Sequence, residues 1–419
     1  MSFSRRSLLS LGALALAPPA LAQGKPAPKP LVIRGAKLIR AGSPALDDAL
    51  VEIRDGKITR VQAGGAPPAG AEVVDGTGKT LSAGFIDLLT GVGLMEIDLE
   101  ASSRHAEHAS SDPIRAAFLA ADGYDPAASA VAVTRSGGIT SLGIVPRGGL
   151  VSGQSAFVDL VDEATLSPIV VQRLALRVAI DDAWLEAGHA SIGSTLLGLR
   201  ELFDDAREFK KNPGGFDKNQ MRKLVASRLD LRAVGEALAG KLPVVFHVDR
   251  AADILSVLAL AKENKLRALL ASAAEGWKVA DAIAKAKLPV VTYPLDNLPR
   301  TFSARFVKDD NAARLHKAGV SVIITSGETH NARKLRQIAG NAVRAGLSHD
   351  AALDAVTRAP ARAFGLDARY GSVEPGRVAN LALWSGDPFE LSTKLEALIV
   401  RGQRVSLASR QTALFERYK

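Results

Sequence analysis

From residue 81 onward the sequence alternates short apolar runs with amphipathic stretches, and this alternation restricts the fold more than any other feature. The runs fall at 81–89, 139–145, 156–161, 174–180, 243–247, 266–272, 289–293 and 320–325. Helical periodicity separates the later ones, at 251–264, 276–286 and 311–317. Strands buried on both faces and joined through helices pair in parallel. Eight such units predict a (β/α)8 barrel, of the TIM type. Residues 194–240 read as mostly helical, with 210–218 as an exposed loop inside them. The third and fourth strands are less defined, because 156–172 also reads as a hairpin outside the barrel.

On either side of this region the period becomes that of strands. Runs at 31–34, 49–53 and 57–62 alternate, and Asp55-Gly56 between the last two is a hairpin signal. Residues 72–76 add a strand and a turn. After helices expected at 332–345 and 349–364, strand-like runs return at 371–373, 379–383 and 398–405. The simplest topology pairs late strands with early ones, giving one small β-domain from both chain ends. The expected division is a leader at 1–22, a linker at 23–30, β-domain segments at 31–80 and 369–419, and the barrel at 81–368.

The leader carries Arg5 and Arg6, an apolar stretch at 8–17, and Ala20-Leu21-Ala22 ahead of a cleavage site before Gln23. The paired arginines resemble the bacterial twin-arginine signal, with a general secretory signal as the alternative. Both readings place the mature chain in the periplasm or outside the cell. Its apolar stretch is shorter than the roughly 20 residues a membrane span needs, and no later segment supplies one. The formal charge of +9 becomes +7 without Arg5 and Arg6, and the basic residues are scattered among acids. With aromatics at only 5 %, neither a basic stripe nor a stacking platform for nucleic acid is formed. The chain has no cysteine, which excludes disulfides, thiolate catalysis and cysteine-held zinc.

Three stretches carry a resemblance to a known family: Gly84-Phe85-Ile86-Asp87, Thr357-Arg358-Ala359-Pro360-Ala361, and Gly371 to Leu381 with Trp384 to Pro388. The sequence resembles the amidohydrolase superfamily of metal-dependent hydrolases, and most of all its imidazolonepropionase-like and secreted branch. One departure inside the last signature is Asn380, where the family usually has Asp. The resemblance implies a barrel with a flanking composite β-domain and hydrolysis of C–N bonds in non-peptide or cyclic amides. It also implies zinc or another divalent metal, which makes hydroxide from bound water near neutral pH.

The implied ligand positions are mostly lost. The His-x-His of the first strand matches Leu89 and Gly91, the sixth-strand histidine matches Ser272, and the eighth-strand Asp matches Gly327. His247 alone is retained, and one imidazole does not hold catalytic zinc. The expectation is therefore a chain without the standard zinc centre. The residues left for chemistry are His247 with Glu275 or Glu328 as a metal-free acid–base pair. Glu275 and Glu328 also suit plain loop or helix-start roles. Asp249 either faces a ligand beside His247 or caps the helix starting near 251. The glycine-rich stretch 147–155 reads as a flexible wall of the barrel mouth that brings Gln154 towards a ligand, and His330 lies in a loop of the same mouth. Asp87 is expected on the interior face with Leu89. His105 and His108 lack the spacing of a zinc motif. Two functions fit: a hydrolase of small cyclic or peptide-like amides, or a non-catalytic protein binding a small molecule or an envelope partner. A homo-oligomer is compatible with both.

Overall fold

A computed structural model describes residues 29–107, 112–161, 167–180, 191–218, 222–296 and 298–419. The leader at 1–22, most of the linker at 23–30, and His108 lie outside these residues. Two sheets organise the rest.

The first sheet contains β1 (Leu31–Arg40), β2 (Ser43–Arg54), β3 (Lys57–Ala63), β4 (Glu72–Asp75) and β5 (Thr80–Ala83). The end of the chain adds β14 (Leu381–Trp384), β15 (Leu395–Val400) and β16 (Gln403–Arg404). Their order is β16-β15-β14-β5-β1-β2-β3, with β4 on β1. The sheet is thus assembled from both chain ends, as the periodicity implies. The Asp55-Gly56 signal forms the β2–β3 hairpin, with φ of 49° and 76° at its two turn residues. Two positive φ values give the turn the twist the strands require, and glycine supplies one of them without strain.

The second sheet is the barrel: β6 (Phe85–Thr90), β7 (Ile139–Ile144), β8 (Val151–Asp159), β9 (Ile169–Ala179), β10 (Val244–Val248), β11 (Ala268–Ser272), β12 (Val290–Thr292) and β13 (Val322–Ile324). They follow one another in sequence order. Two expectations need correction. The apolar run 81–89 is split, since β5 belongs to the first sheet and β6 starts the barrel; hydropathy cannot register where a strand changes partner. The barrel is also not parallel throughout, because β8 runs antiparallel to both β7 and β9. Among the described residues no crossover helix joins these three strands, and the loop expected at 147–155 belongs to strand β8 from Val151 onward. Its residues are buried along its whole length, which hides the polar–apolar alternation of an ordinary hairpin. The stretch 210–218 also differs from the expected loop: helix Ile192–Lys211 runs into it, and a second helix, Pro213–Asp217, starts on a proline.

No backbone ladder joins β6 to β13. Side chains close that seam. Asp87 Oδ1 accepts from Ser326 N at 2.9 Å and faces the Thr325 hydroxyl at 2.7 Å, and Ser326 Oγ bonds its other oxygen. Thr90 Oγ1 donates to Glu328 O at 2.8 Å. Ile86 and Leu88 join Val291 and Ile323 in a buried apolar cluster, while Asp87 has the hydrogen-bonding role within the barrel. Burial pushes the Asp87 carboxyl up to about 6, against the lowering effect of the Ser326 and Thr325 hydrogen bonds.

A buried polar knot ties the sheets together. Asp159 accepts from Ser141 Oγ at 2.7 Å, Asn380 Nδ2 at 3.1 Å and Tyr370 Oη at 3.0 Å, and pairs with Arg401. Asn380, which departs from the family's usual Asp, donates here to a carboxylate; a second carboxylate at that point would repel it. Among the described residues, no helix is long and apolar enough to cross a membrane.

Candidate active site

The C-terminal ends of the barrel strands enclose a cavity of about 670 Å³. His247 reaches it from β10, where side chains alternate and Val245 turns into the small core formed with Ala175, Leu269 and Ala271. Leu89, Asp249, Ser272, Gly327 and Glu328 line the same cavity. The position of the retained histidine and three of the four matched ligand positions therefore converge in space.

What stands at those positions is specific. Leu89, next to last in β6, has φ of 57°; Ser272 ends β11 with φ of 68°, and Ala273 follows it at 48°. A non-glycine residue in this left-handed region costs about 1–2 kcal/mol, so three strained residues cluster at the mouth. At Gly91 a Cβ would stand 2.6 Å from Thr329 Oγ1, so a side chain there requires the threonine to turn away. At Gly327, with φ of 65°, a Cβ would stand 2.3 Å from the Tyr293 ring. Among the described residues, no group of three His, Asp or Glu side chains gathers where it could hold a metal ion.

The other sequence candidates separate. Asp249 lines the cavity but caps nothing at residue 251; its Oδ1 accepts from Ala274 N at 3.1 Å. The N–H of Ala251 goes instead to Glu275 Oε2, at 3.2 Å. Glu275 is 2 % exposed, does not line the cavity, and pairs with Lys278 Nζ at 3.1 Å. Its carboxylate sits at the positive end of helix Ala251–Glu263, where a negative charge is stabilised. Gln154 is buried in β8, donating to Ala116 O at 2.9 Å and accepting from Arg173 at 2.6 Å. It and the exposed His330 are not part of the cavity wall. His105 is exposed on the surface.

Among the polar side chains of the wall that sequence reasoning missed are Arg147, Arg177 and Tyr293. Tyr293 lies two residues beyond Val291, and Arg177 two beyond Ala175, so both continue an inward-facing row. A charge inside the apolar run 174–180 was the available signal. Arg177 Nη1 donates to Pro146 O at 3.1 Å. Burial pushes the Tyr293 hydroxyl above the ordinary phenol range; Arg177 opposes the shift, Asp249 and Asp87 add to it, and Arg147 opposes it.

Comparison with known proteins now bears on this geometry. The model of the amidohydrolase family matches residues 213–406. A crystal structure of an amidohydrolase from Thermotoga maritima MSB8 superposes with a TM-score of 0.82 and 26 % identity, covering 90 % of this chain and 99 % of that one. Family model, structure and geometry together support an amidohydrolase-superfamily chain. It is also 23 % identical over 377 residues to amidohydrolase tasK of Hapsidospora irregularis, covering 82 % of this chain. It spans only 38 % of the length of that relative. Molinate hydrolase shares the fold at a TM-score of 0.57 and 16 % identity, over 90 % of this chain and 95 % of that one. A structure described as a putative prolidase from Bifidobacterium longum does so at 0.53 and 15 %, over 93 % and 99 %.

Proposed function

We propose that this amidohydrolase-superfamily chain binds a small amide or peptide-like molecule in its barrel cavity without the family's zinc–hydroxide centre. The observation that carries this reading is the filling of two ligand positions. Thr329 Oγ1 stands against Gly91 and the Tyr293 ring against Gly327, each closer than 3 Å to where a side chain would begin. Zinc needs three or four N, O or S ligands around one ion. Here the family positions offer leucine, two glycines, serine and a single histidine. The residues do not fit the ion. A cavity of about 670 Å³ suits a small molecule.

A second reading, metal-free hydrolysis of a C–N bond, is supported by His247, Asp249 and Glu328 lining one cavity. An imidazole and a carboxylate are sufficient to move a proton between water and a leaving nitrogen. Glu275 takes no part in it. In both readings residues 1–22 direct the chain to the periplasm or beyond, and the sheet from both ends is a separate small domain flanking the barrel.

The test is metal analysis of protein purified after native export, with binding and hydrolysis measured across a panel of amides, lactams and dipeptides. Substoichiometric metal, ligand-induced thermal stabilisation and no turnover are expected. About one zinc per chain, lost together with turnover in His247→Ala, refutes the proposal. Turnover without metal that disappears in His247→Ala establishes the second reading instead.

A further inference from the structure

The wall of the cavity beside the matched ligand positions, its floor, carries positive charge. Arg147 Nη2 lies 3.7 Å from the place a Cβ on Gly91 would occupy, so a guanidinium stands on the ground of the second matched imidazole. Among the described residues no Asp or Glu oxygen lies within 4.0 Å of it. Arg177 is held in the same wall by Pro146 O at 3.1 Å. The Tyr293 hydroxyl is near enough to both guanidinium groups to feel their charge, and burial keeps it protonated and a donor at neutral pH.

We propose that this floor is an anion-binding subsite, in which Arg147 takes a carboxylate of the ligand with Arg177 and Tyr293 beside it. The inference rests on the reading of the cavity as a small-ligand site. A guanidinium matches the two oxygens of a carboxylate with parallel N–H groups, and such charge-assisted bonds are about twice as strong as neutral ones. Lys334 adds a further cation at the rim, while Arg300 is engaged with Asp296 at 3.2 Å. Carboxylate is favoured over a phosphate dianion because Asp249 and Glu328 share the wall and repel a second negative charge more strongly. The ligand class is therefore a small amide carrying one free carboxylate, such as an acylated amino acid.

Three matched probe sets test this: N-acetyl amino acids, the same compounds as carboxamides, and the corresponding phosphonates. Binding is followed by calorimetry and ligand-observed NMR. The acids should bind at least tenfold more tightly than the carboxamides, with the advantage shrinking as salt is raised. Arg147→Gln should remove that advantage and leave the carboxamides unchanged, and Arg147→Lys should keep part of it. Carboxamides binding as well as acids overturn the subsite while leaving the ligand cavity intact. Tighter phosphonates overturn the carboxylate assignment. If no probe binds, the small-ligand reading fails and the subsite with it. Should Arg147→Gln not fold, the acid–carboxamide ratio of the unaltered protein and its salt dependence still decide.

Discussion

Gly327→Ala tests whether the Tyr293 ring has taken the place of the eighth-strand ligand. At φ of 65° an alanine is strained, and its Cβ would stand 2.3 Å from the ring. Left-handed backbone costs about 1–2 kcal/mol, and forcing a methyl into filled space costs about 1–3 kcal/mol. The sum is about 2–5 kcal/mol. Unfolding entropy of about 2.1 cal/mol/K per residue makes 1 kcal/mol worth roughly 1 °C in a chain this long, so Tm should fall by about 2–5 °C. The assay is scanning calorimetry of four proteins: unaltered, Gly327→Ala, Tyr293→Ala and the double variant. In the Tyr293→Ala background the glycine change should retain only its backbone share, giving a coupling of about 1–3 kcal/mol. A Gly327→Ala protein that melts with the parent, or additive single changes, would refute the argument that the ring fills this site.

Three further outcomes follow from the geometry. Asp87 is raised from 3.8 to about 6, so the unfolded chain releases its proton first as pH climbs. The stability of the parent relative to Asp87→Asn should therefore fall by on the order of 3 kcal/mol between about pH 3 and 7 and level off above, and a flat difference in pH-resolved melting rejects it. Arg401→Ala leaves the fully buried Asp159 carboxylate with neutral donors only and should cost about 3–5 kcal/mol by thermal unfolding. Glu275→Gln should lose about 1 kcal/mol by weakening the Lys278 pair and the cap at Ala251, with ligand affinity unchanged in calorimetry.

The repeating parts of the fold were legible because periodicity reports burial directly. The apolar runs at 266–272, 289–293 and 320–325 contain β11 to β13, the run at 243–247 falls one residue short of the end of β10, and Asp55-Gly56 fixes its hairpin locally. The reversed β8 was not legible, since a strand buried on both faces has the same hydropathy in either direction. Helix Arg410–Tyr418 also escaped: its capping box pairs Ser409 with Thr412 rather than with a glutamate, and none of its residues is buried. At the site, the positions of His247, Leu89, Ser272 and Gly327 came from the family resemblance, and the cavity brings all four together. The helix-start role open to Glu275 is the one it takes, but the partners of Asp249 and Glu275 depend on a contact between two loops that no local pattern gives. Asp249 binds the β11 loop at Ala274, and the cap expected of it at Ala251 comes from Glu275, 24 residues away. Arg147 and Tyr293 were not legible because both lie just outside the regular strands, where strand alternation assigns no face.

The pairing of β14 with β5 has a consequence for how the molecule is made. While the polypeptide emerges from the ribosome, β5 has β1 on one side and nothing on the other until Trp384 has been synthesised, which is almost the whole chain. That open edge is a template for self-association for most of translation. Fragments ending before Leu381 should collect in inclusion bodies, and a chaperone that shields the 80–83 edge would raise the soluble yield of the intact protein more than one acting on the barrel.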